Sequence, residues 1–165
     1  MPELQIQDQT VIIALGSNLG DRWAALDLAV RKIENRIGAV VRRSTWIETE
    51  PLLDPADPAP QPYFLNGVVL VSSSTGPEEI FSRLQAIEAE LGRSREGARR
   101  WAPRTIDLDI IGIGSLVVEI PDLVIPHPQM HLRSFVLEPL FEVWPDWVHP
   151  KLQRSCAELL AGLRG

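Results

Sequence analysis

The pattern of hydrophobic positions divides the first two thirds of the chain into short apolar runs and longer amphipathic segments. Apolar, β-branched runs bounded by turn residues predict four strands, at residues 10–16, 39–47, 63–71 and 106–113. The first of these strands is expected to end at Gly16. Residues 116–118 predict a hairpin partner for the fourth strand, joined to it through Gly114 and Ser115.

Two segments between the predicted strands repeat their apolar residues at helical spacing. The first stripe comprises Trp23, Leu26, Val30, Ile33 and Ile37, and the second comprises Ile80, Leu84, Ile87 and Leu91. Asn18 or Asp21 can cap the first helix, and Gly38 is expected to end it in a left-handed conformation. Pro77 near the first turn and Gly92 after the last turn bound the second helix.

The order of elements predicts an α+β fold with a ferredoxin-like βαββαβ arrangement, in which helices pack on a mainly antiparallel sheet. Further helices are expected at 134–143 and at about 155–163, after a short segment around Met130. Five of the 14 prolines lie in residues 51–62, so this segment is expected to be a loop. We expect a single domain over residues 1–165.

Composition and charge indicate the cellular compartment and the classes of binding partner that we expect. The net charge of −6 argues against an overall attraction to nucleic acid or to anionic membranes. The single cysteine, Cys156, cannot form an internal disulfide, and no apolar run is long enough to span a bilayer. The first residues also lack the basic and apolar segments of a secretory signal. We therefore expect a soluble cytoplasmic protein that binds neither nucleic acid nor membrane.

Asp107 and Asp109 interrupt the apolar pattern of the fourth strand. Because side chains alternate between the two faces of a strand, both carboxylates are expected on the face opposite Ile106, Leu108 and Ile110. At ~7 Å apart along the strand they can bind one cation between them or a pair of cations, and Mg²⁺ favours such hard oxygen ligands. Alternatively, the two aspartates only keep one edge of the sheet soluble.

The segment before this strand carries a local excess of positive charge. Residues 92–104 contain five arginines and one glutamate, a net charge of +4 that leaves −10 for the rest of the chain. Arginines in a glycine-containing loop can close on a polyphosphate, because each guanidinium donates a fork of hydrogen bonds to phosphate oxygens. Trp101 can stack on a base or cover the site. Alternatively, the loop is solvated and Trp101 is a surface anchor.

Three further side chains are candidates on less specific grounds. Glu88 lies on the flank of the second helix that faces the sheet, where it either orients a ligand or only borders solvent. Phe64 and Asn66 share one face of the third strand, so an aromatic ring lies beside an amide that both donates and accepts hydrogen bonds. That combination suits a flat heterocycle, but a core phenylalanine and an asparagine near a turn give the same pattern.

Two other functions stay open from the residues alone. A ferredoxin-like module can bind nucleic acid through the Arg-rich segment, although the paired aspartates would repel a phosphate backbone without bound metal. A nucleotide sensor without catalysis would bind a metal-nucleotide but would not convert it. Binding that depends on a nucleotide and Mg²⁺, with little affinity for oligonucleotides, excludes the first alternative, and turnover of the bound nucleotide excludes the second.

Taken together, these segments resemble the 6-hydroxymethyl-7,8-dihydropterin pyrophosphokinase family of the folate pathway. The resemblance runs from about Val11 to about Leu160, and its most specific part is RWAPRTIDLDII at residues 100–111. The segments ALGSNLGD, YFLNGVV, IPHPQMHLRSF and PLFE also fall where the family has similar segments. The resemblance implies the ferredoxin-like fold and the transfer of diphosphate from ATP to the hydroxymethyl group of the pterin, with release of AMP.

The resemblance also assigns roles to residues of this chain. It implies that Asp107 and Asp109 hold two Mg²⁺ ions against the ATP phosphates, and that Arg93 and Arg104 make catalytic phosphate contacts. The residues implied for nucleotide binding are Gln85, Glu88, Arg95, Trp101, Ile110, His127 and Arg133. The residues implied for pterin binding are Thr49, Leu52, Phe64, Asn66 and Phe135. We expect a monomer whose partners are its two substrates, ATP and the pterin.

Overall fold

The computed structural model describes residues 9–50, 55–56, 62–92 and 106–164. Within these ranges five strands form one antiparallel sheet: β1 (Thr10–Ser17), β2 (Ala39–Arg43), β3 (Ile47–Thr49), β4 (Phe64–Ser72) and β5 (Asp107–Ile113). Four strands lie in the order β2-β4-β1-β5, and β3 pairs with the first residues of β4. With β1 in the interior of the sheet and antiparallel neighbours throughout, this is the predicted ferredoxin-like arrangement.

Helices cover both faces of this sheet. In the described part of the chain they are α1 (Arg22–Arg36), α2 (Pro77–Glu90), α3 (Ser134–Val143) and α4 (Cys156–Arg164). The side chains of β1 alternate between two buried clusters, because Ile13 packs with residues of α1 and α2 while Ile12 packs with residues of α3 and α4. None of the helices in the described ranges is long and apolar enough to cross a membrane.

The predictions for the two ends of α1 were partly correct and partly wrong. Asp21 caps the helix, since its carboxylate accepts a hydrogen bond from the Ala24 amide at 3.1 Å. Trp23 does not belong to the buried stripe, because the residue is 54% exposed. The left-handed conformation predicted for Gly38 is also wrong. This glycine is needed for close packing, since a Cβ atom there would lie 2.1 Å from the carbonyl oxygen of Ser72.

Two predictions about the strands also need correction. Residues 116–118 do not form a hairpin with β5: β6 (Val118–Ile120) pairs instead with β7 (Leu123–Ile125) in a separate two-stranded sheet. The chain leaves β5 through a turn in which the Leu116 amide donates to the Ile113 carbonyl oxygen. The predicted second strand is divided into β2 and β3, because the Ser44 hydroxyl between them accepts a hydrogen bond from a backbone amide of β4.

The segment after β7 closes the second face of the sheet. It contains a short 3-10 helix, Met130–Leu132, then α3, a small hairpin of β8 (Val148–His149) and β9 (Arg154–Ser155), and α4. Trp147 is buried and donates from its ring nitrogen to the Gly114 carbonyl oxygen at 2.9 Å. Cys156 is buried, and burial raises the pKa of its thiol to about 12, so it is a packing residue rather than a nucleophile.

Candidate active site

The sheet face opposite α1 and α2 brings the predicted pterin and metal residues into neighbouring positions. Asn66 on β4 and Asp107 on β5 both pair with Gly16 of the strand between them. Asp109 pairs with Ala14 of the same strand and so lies beside Asp107 on that face. Because neighbouring strands are about 4.8 Å apart, the backbones of Asn66 and Asp107 lie about 10 Å apart across Gly16.

Asp107 and Asp109 have the alternation that the sequence predicted. Both are partly buried, whereas Ile106 and Leu108 belong to the buried cluster beneath α1 and α2. Two carboxylates on one face of a strand fit a hard divalent cation such as Mg²⁺, which commonly binds one or two carboxylates and takes its other ligands from water and substrate phosphates. The chemistry of this donor pair therefore suits a cation shared between the protein and a phosphorylated substrate.

Phe64, Asn66 and Thr49 form a second group on the same face. Thr49 pairs with Phe64 in the sheet, and the Asn66 side-chain nitrogen donates a hydrogen bond to the Thr49 hydroxyl. This bond directs the nitrogen of the amide toward β3 and leaves its oxygen over Gly16. The ring of Phe64 lies next to the same glycine. An aromatic ring and an oriented amide therefore stand side by side, as recognition of a flat heterocycle requires.

Glu88 supports the strand that carries the two aspartates. Only 4% of the residue is exposed, and its carboxylate accepts a hydrogen bond from the Leu108 amide at 2.9 Å. Because β5 is an edge strand among the described residues, none of the described strands lies beside it on this side to bond the amide. The prediction that Glu88 faces the sheet is confirmed. Gln85, one turn earlier on α2, is partly buried.

His127 lies beside β5 and close to the aspartates. Its backbone amide donates to the Ile111 carbonyl oxygen at 2.9 Å, and its Nδ1 accepts a hydrogen bond from the Gln129 amide. Burial is the main cause that lowers its pKa to about 4; the charge of Arg133 lowers it further, and the charge of Asp107 opposes the shift. His127 is therefore neutral at pH 7, with its proton on Nε2, and is a hydrogen-bond donor at that atom.

Arg133, Phe135 and Ile110 have different surroundings. The Arg133 guanidinium lies over the Phe135 ring, 5.6 Å from its centre, and Phe135 packs partly against the cluster beneath α3 and α4. The side chain of Ile110 is buried in the cluster beneath α1 and α2. Any contact between Ile110 and a nucleotide would therefore come from its backbone.

Several predicted site residues lie outside the described residues. They are Leu52 in the Pro-rich segment and Arg93, Arg95, Trp101 and Arg104 in the Arg-rich segment. The structure does describe the two ends of the Pro-rich segment. Arg22 joins them, because its guanidinium forms an ion pair with Glu48 at 2.9 Å and donates to the Tyr63 carbonyl oxygen at 2.9 Å.

Gly16 is the residue of this site that the sequence interpretation missed. The sequence pattern predicts the end of a strand at Gly16, whereas the structure places this residue between the two candidate groups. A signal was present: Ala14 and Gly16 are small residues on one face of β1, and they alternate with the large residues Ile13 and Leu15 on the other. Small side chains on one face of a strand indicate close approach by another group.

Comparison with known proteins identifies the family. Residues 12–145 match the family model described as 7,8-dihydro-6-hydroxymethylpterin-pyrophosphokinase (HPPK). The chain belongs to this family. A Pseudomonas aeruginosa protein named 2-amino-4-hydroxy-6-hydroxymethyldihydropteridine pyrophosphokinase is 43% identical over 159 residues, which cover 93% of this chain and 91% of that protein. A Synechocystis protein of the same name is 39% identical over 150 residues, 90% of this chain and 73% of that protein.

The HPPK match extends from β1 to the end of α3 and includes every candidate site residue. Solved structures agree at the level of the fold. A crystal structure of wild-type Plasmodium falciparum HPPK-DHPS covers 93% of this chain with a TM-score of 0.71 at 14% identity. The present chain spans 44% of the length of that protein. The α+β, ferredoxin-like prediction is thus confirmed.

Proposed function

We propose that this protein transfers diphosphate from ATP to the hydroxymethyl group of 6-hydroxymethyl-7,8-dihydropterin, releases AMP and requires Mg²⁺. The transfer is the activity expected of an HPPK family member. The proposed location of this reaction rests on one observation. Asn66, Gly16 and Asp107 form a row across three neighbouring strands. This row supports the proposal, because an amide that can pair with a heterocycle and a carboxylate that can hold a metal-bound phosphate lie on one face of one sheet.

The pterin is proposed to occupy the β3–β4 side of the row. Asn66 would pair with the edge of the heterocycle, and Phe64 would stack on its face, with Thr49 holding the Asn66 amide. Phe135 would supply the second aromatic ring, and Leu52 would complete the apolar surroundings. Stacking and hydrogen bonding together would fix the orientation of the ring and thus the direction of its hydroxymethyl group.

The triphosphate of ATP is proposed to occupy the β5 side. Asp107 and Asp109 would hold two Mg²⁺ ions, and Arg93 and Arg104 would contact phosphate oxygens. When bound, Mg²⁺ would supply charge neutralisation on the phosphates and a lower pKa for a coordinated hydroxyl. The remaining residues proposed to line the nucleotide are Gln85, Glu88, Arg95, Trp101, Ile110, His127 and Arg133.

In the proposed reaction the hydroxymethyl oxygen forms a bond to the β-phosphorus of ATP. The bond between that phosphorus and the oxygen that bridges it to the α-phosphorus breaks, AMP leaves with the bridging oxygen, and the hydroxyl proton is released. The protein would contribute mainly by placing the two substrates in line and stabilising the phosphate charge. His127, neutral at pH 7 with its proton on Nε2, suits hydrogen-bond donation to the nucleotide rather than proton abstraction.

An AMP-release assay with single omissions tests this function. The wild-type protein is incubated with ATP, Mg²⁺ and the pterin, and each component is left out in turn. AMP is expected only in the complete mixture, together with a diphosphorylated pterin in equal amount. AMP that forms without the pterin would disprove the acceptor, and full activity in the presence of excess EDTA would disprove the Mg²⁺ requirement.

A further inference from the structure

Gly16 occupies the centre of the candidate site, and its lack of a side chain has a specific geometric consequence. A Cβ atom built on Gly16 would lie 2.6 Å from the side-chain oxygen of Asn66 and 3.4 Å from the nearest ring atom of Phe64. The first distance is too short for two non-bonded atoms, whereas the second is a tight contact. Gly16 has no positive φ angle, so the position excludes other residues through space and not through backbone conformation.

The Asn66 amide is fixed at its nitrogen, while its oxygen occupies the space that the missing side chain of Gly16 leaves. Its nitrogen donates to the Thr49 hydroxyl on one side, and its oxygen lies in the space over Gly16 on the other. Asn66 is partly buried, so a displaced amide would lose the Thr49 bond without full compensation by water. A side chain at position 16 would therefore displace the oxygen of Asn66 from the space over Gly16.

We infer that Gly16 is a positioning residue for the pterin: its missing side chain lets the Asn66 amide oxygen lie over β1, where it accepts a hydrogen bond from an N–H group on the edge of the heterocycle. This inference rests on the proposed function and adds a specificity element to it. Gly16 acts through Asn66 and contacts no reacting atom. The nucleotide side of the site, on β5, does not depend on this contact.

The test uses Gly16→Ala, Asn66→Ala and the double variant, with Gly162→Ala as the control. Gly162 lies on α4, and a Cβ atom there would meet nothing within 4 Å. The dissociation constant of 6-hydroxymethyl-7,8-dihydropterin is measured with Mg²⁺ and α,β-methylene-ATP, whose α,β linkage cannot be cleaved. The dissociation constant of this ATP analogue is measured separately. Wild-type protein that binds no pterin would contradict the proposed function itself, before any variant is compared.

Gly16→Ala is expected to raise the pterin dissociation constant about tenfold to hundredfold, as the loss of an oriented hydrogen bond would do. The dissociation constant of the ATP analogue should change by less than about threefold, and the Gly162→Ala variant should match the wild type in both measurements. In an Asn66→Ala background the oxygen is gone, so adding Gly16→Ala should weaken pterin binding by less than about twofold.

Three results would overturn the inference. The first is wild-type pterin affinity in the Gly16→Ala variant, and the second is an equal loss of affinity for the pterin and the ATP analogue. The third is a loss in the Asn66→Ala background as large as in the wild-type background, which would show that the two residues act independently. If Gly16→Ala alone does not fold, the double variant still decides, because its pterin affinity must equal that of Asn66→Ala.

Discussion

At the scale of single residues, the Glu88 carboxylate links helix packing to the candidate metal ligands. It is buried at the edge of the sheet and bonds the amide of Leu108, the residue between Asp107 and Asp109. A strand edge without such an acceptor would leave a buried N–H group unpaired. Glu88 therefore stabilises the backbone from which both aspartates project.

Replacing Glu88 with alanine is expected to lower the free energy of unfolding by about 1–3 kcal/mol, since the Leu108 amide loses its acceptor. Glu88→Gln keeps an oxygen in place and should lose less. Glu79→Ala on the same helix removes an exposed ion pair with Arg83 and should cost about 0.5 kcal/mol or less. Urea unfolding without ligands measures all three, and equal losses for Glu88→Ala and Glu79→Ala would contradict the role.

We expect His149 to make the stability depend on pH. It is buried, and its Nδ1 accepts hydrogen bonds from the amides of Lys151 and Leu152, so the ring is neutral. Burial is the main cause that lowers the pKa of His149 below its usual value, with the charges of His131 and Lys151 adding to the effect. Protonation therefore favours the unfolded chain, and the stabilisation present above about pH 6.5 is lost as pH falls.

The free energy of unfolding is expected to decrease as pH falls below about 6.5, by at most about 1.4 kcal/mol per pH unit from this one group. A His149→Gln variant should be less stable at pH 7.5 and should show a shallower decrease between pH 7.5 and 5. Urea titrations of both proteins across that range give the comparison. Parallel curves for the two proteins would mean that His149 does not contribute to the slope.

Predictions from the sequence were correct where they depended only on the local geometry of a strand. The alternation of Asp107 and Asp109 with buried neighbours follows from strand geometry alone, as does the shared face of Phe64 and Asn66. The small residues of β1 indicate a close approach at Gly16, but its inferred partner, Asn66, lies in another strand and is not evident from the local sequence. The roles of Leu52, Arg93, Arg95, Trp101 and Arg104 stay predictions.

At the scale of elements, the junction of α1 and β2 shows how close packing selects a glycine. Gly38 passes beside the end of β4, where a Cβ atom would lie 2.1 Å from the Ser72 carbonyl oxygen and 3.0 Å from the Ser72 carbonyl carbon. Both neighbours are backbone atoms of a paired strand, so neither can turn aside as a flexible side chain would. The sequence showed only that a glycine follows the helix, which also fits a left-handed end.

Gly38→Ala is expected to lower the free energy of unfolding by about 1–3 kcal/mol, because α1 or β4 must shift to admit the methyl group. Gly162→Ala introduces the same methyl group into open space on α4 and should leave stability unchanged or slightly raised. Thermal and urea unfolding measure both. A Gly38→Ala protein as stable as the Gly162→Ala protein would contradict the packing explanation.

The order of elements was predictable, whereas partners far apart in sequence were not. Apolar periodicity located the strands and helices of the βαββαβ core. For the strand at residues 116–118 the local pattern predicted the wrong partner. A glycine-containing turn after β5 suggests a hairpin with β5, and nothing in the local sequence shows that Leu123–Ile125 is the better partner. The division between β2 and β3 also depends on a distant contact, from Ser44 to β4.

At the level of the whole molecule, the sheet brings residues from separate sequence motifs together in one candidate site. β4, β1 and β5 come from different parts of the chain, and their pairing places an aromatic and amide group beside two carboxylates. The charge pattern alone indicated a metal and a phosphate. The pterin acceptor came from the family resemblance, which the HPPK match over residues 12–145 confirms. Local physical reasoning could not select that acceptor, because many heterocycles stack on a phenylalanine beside an amide.

We propose that Asp107 and Asp109 hold the metal-bound phosphates while the pterin binds across Gly16. The most direct test is the rate of AMP release by Asp109→Asn at saturating ATP, Mg²⁺ and pterin, with pterin affinity measured alongside. Asp146→Asn, an exposed aspartate in the turn after α3, is the matched control. We expect a rate at least about 100-fold below wild type for Asp109→Asn, with pterin affinity and the control unchanged. A rate within about threefold of wild type would contradict it.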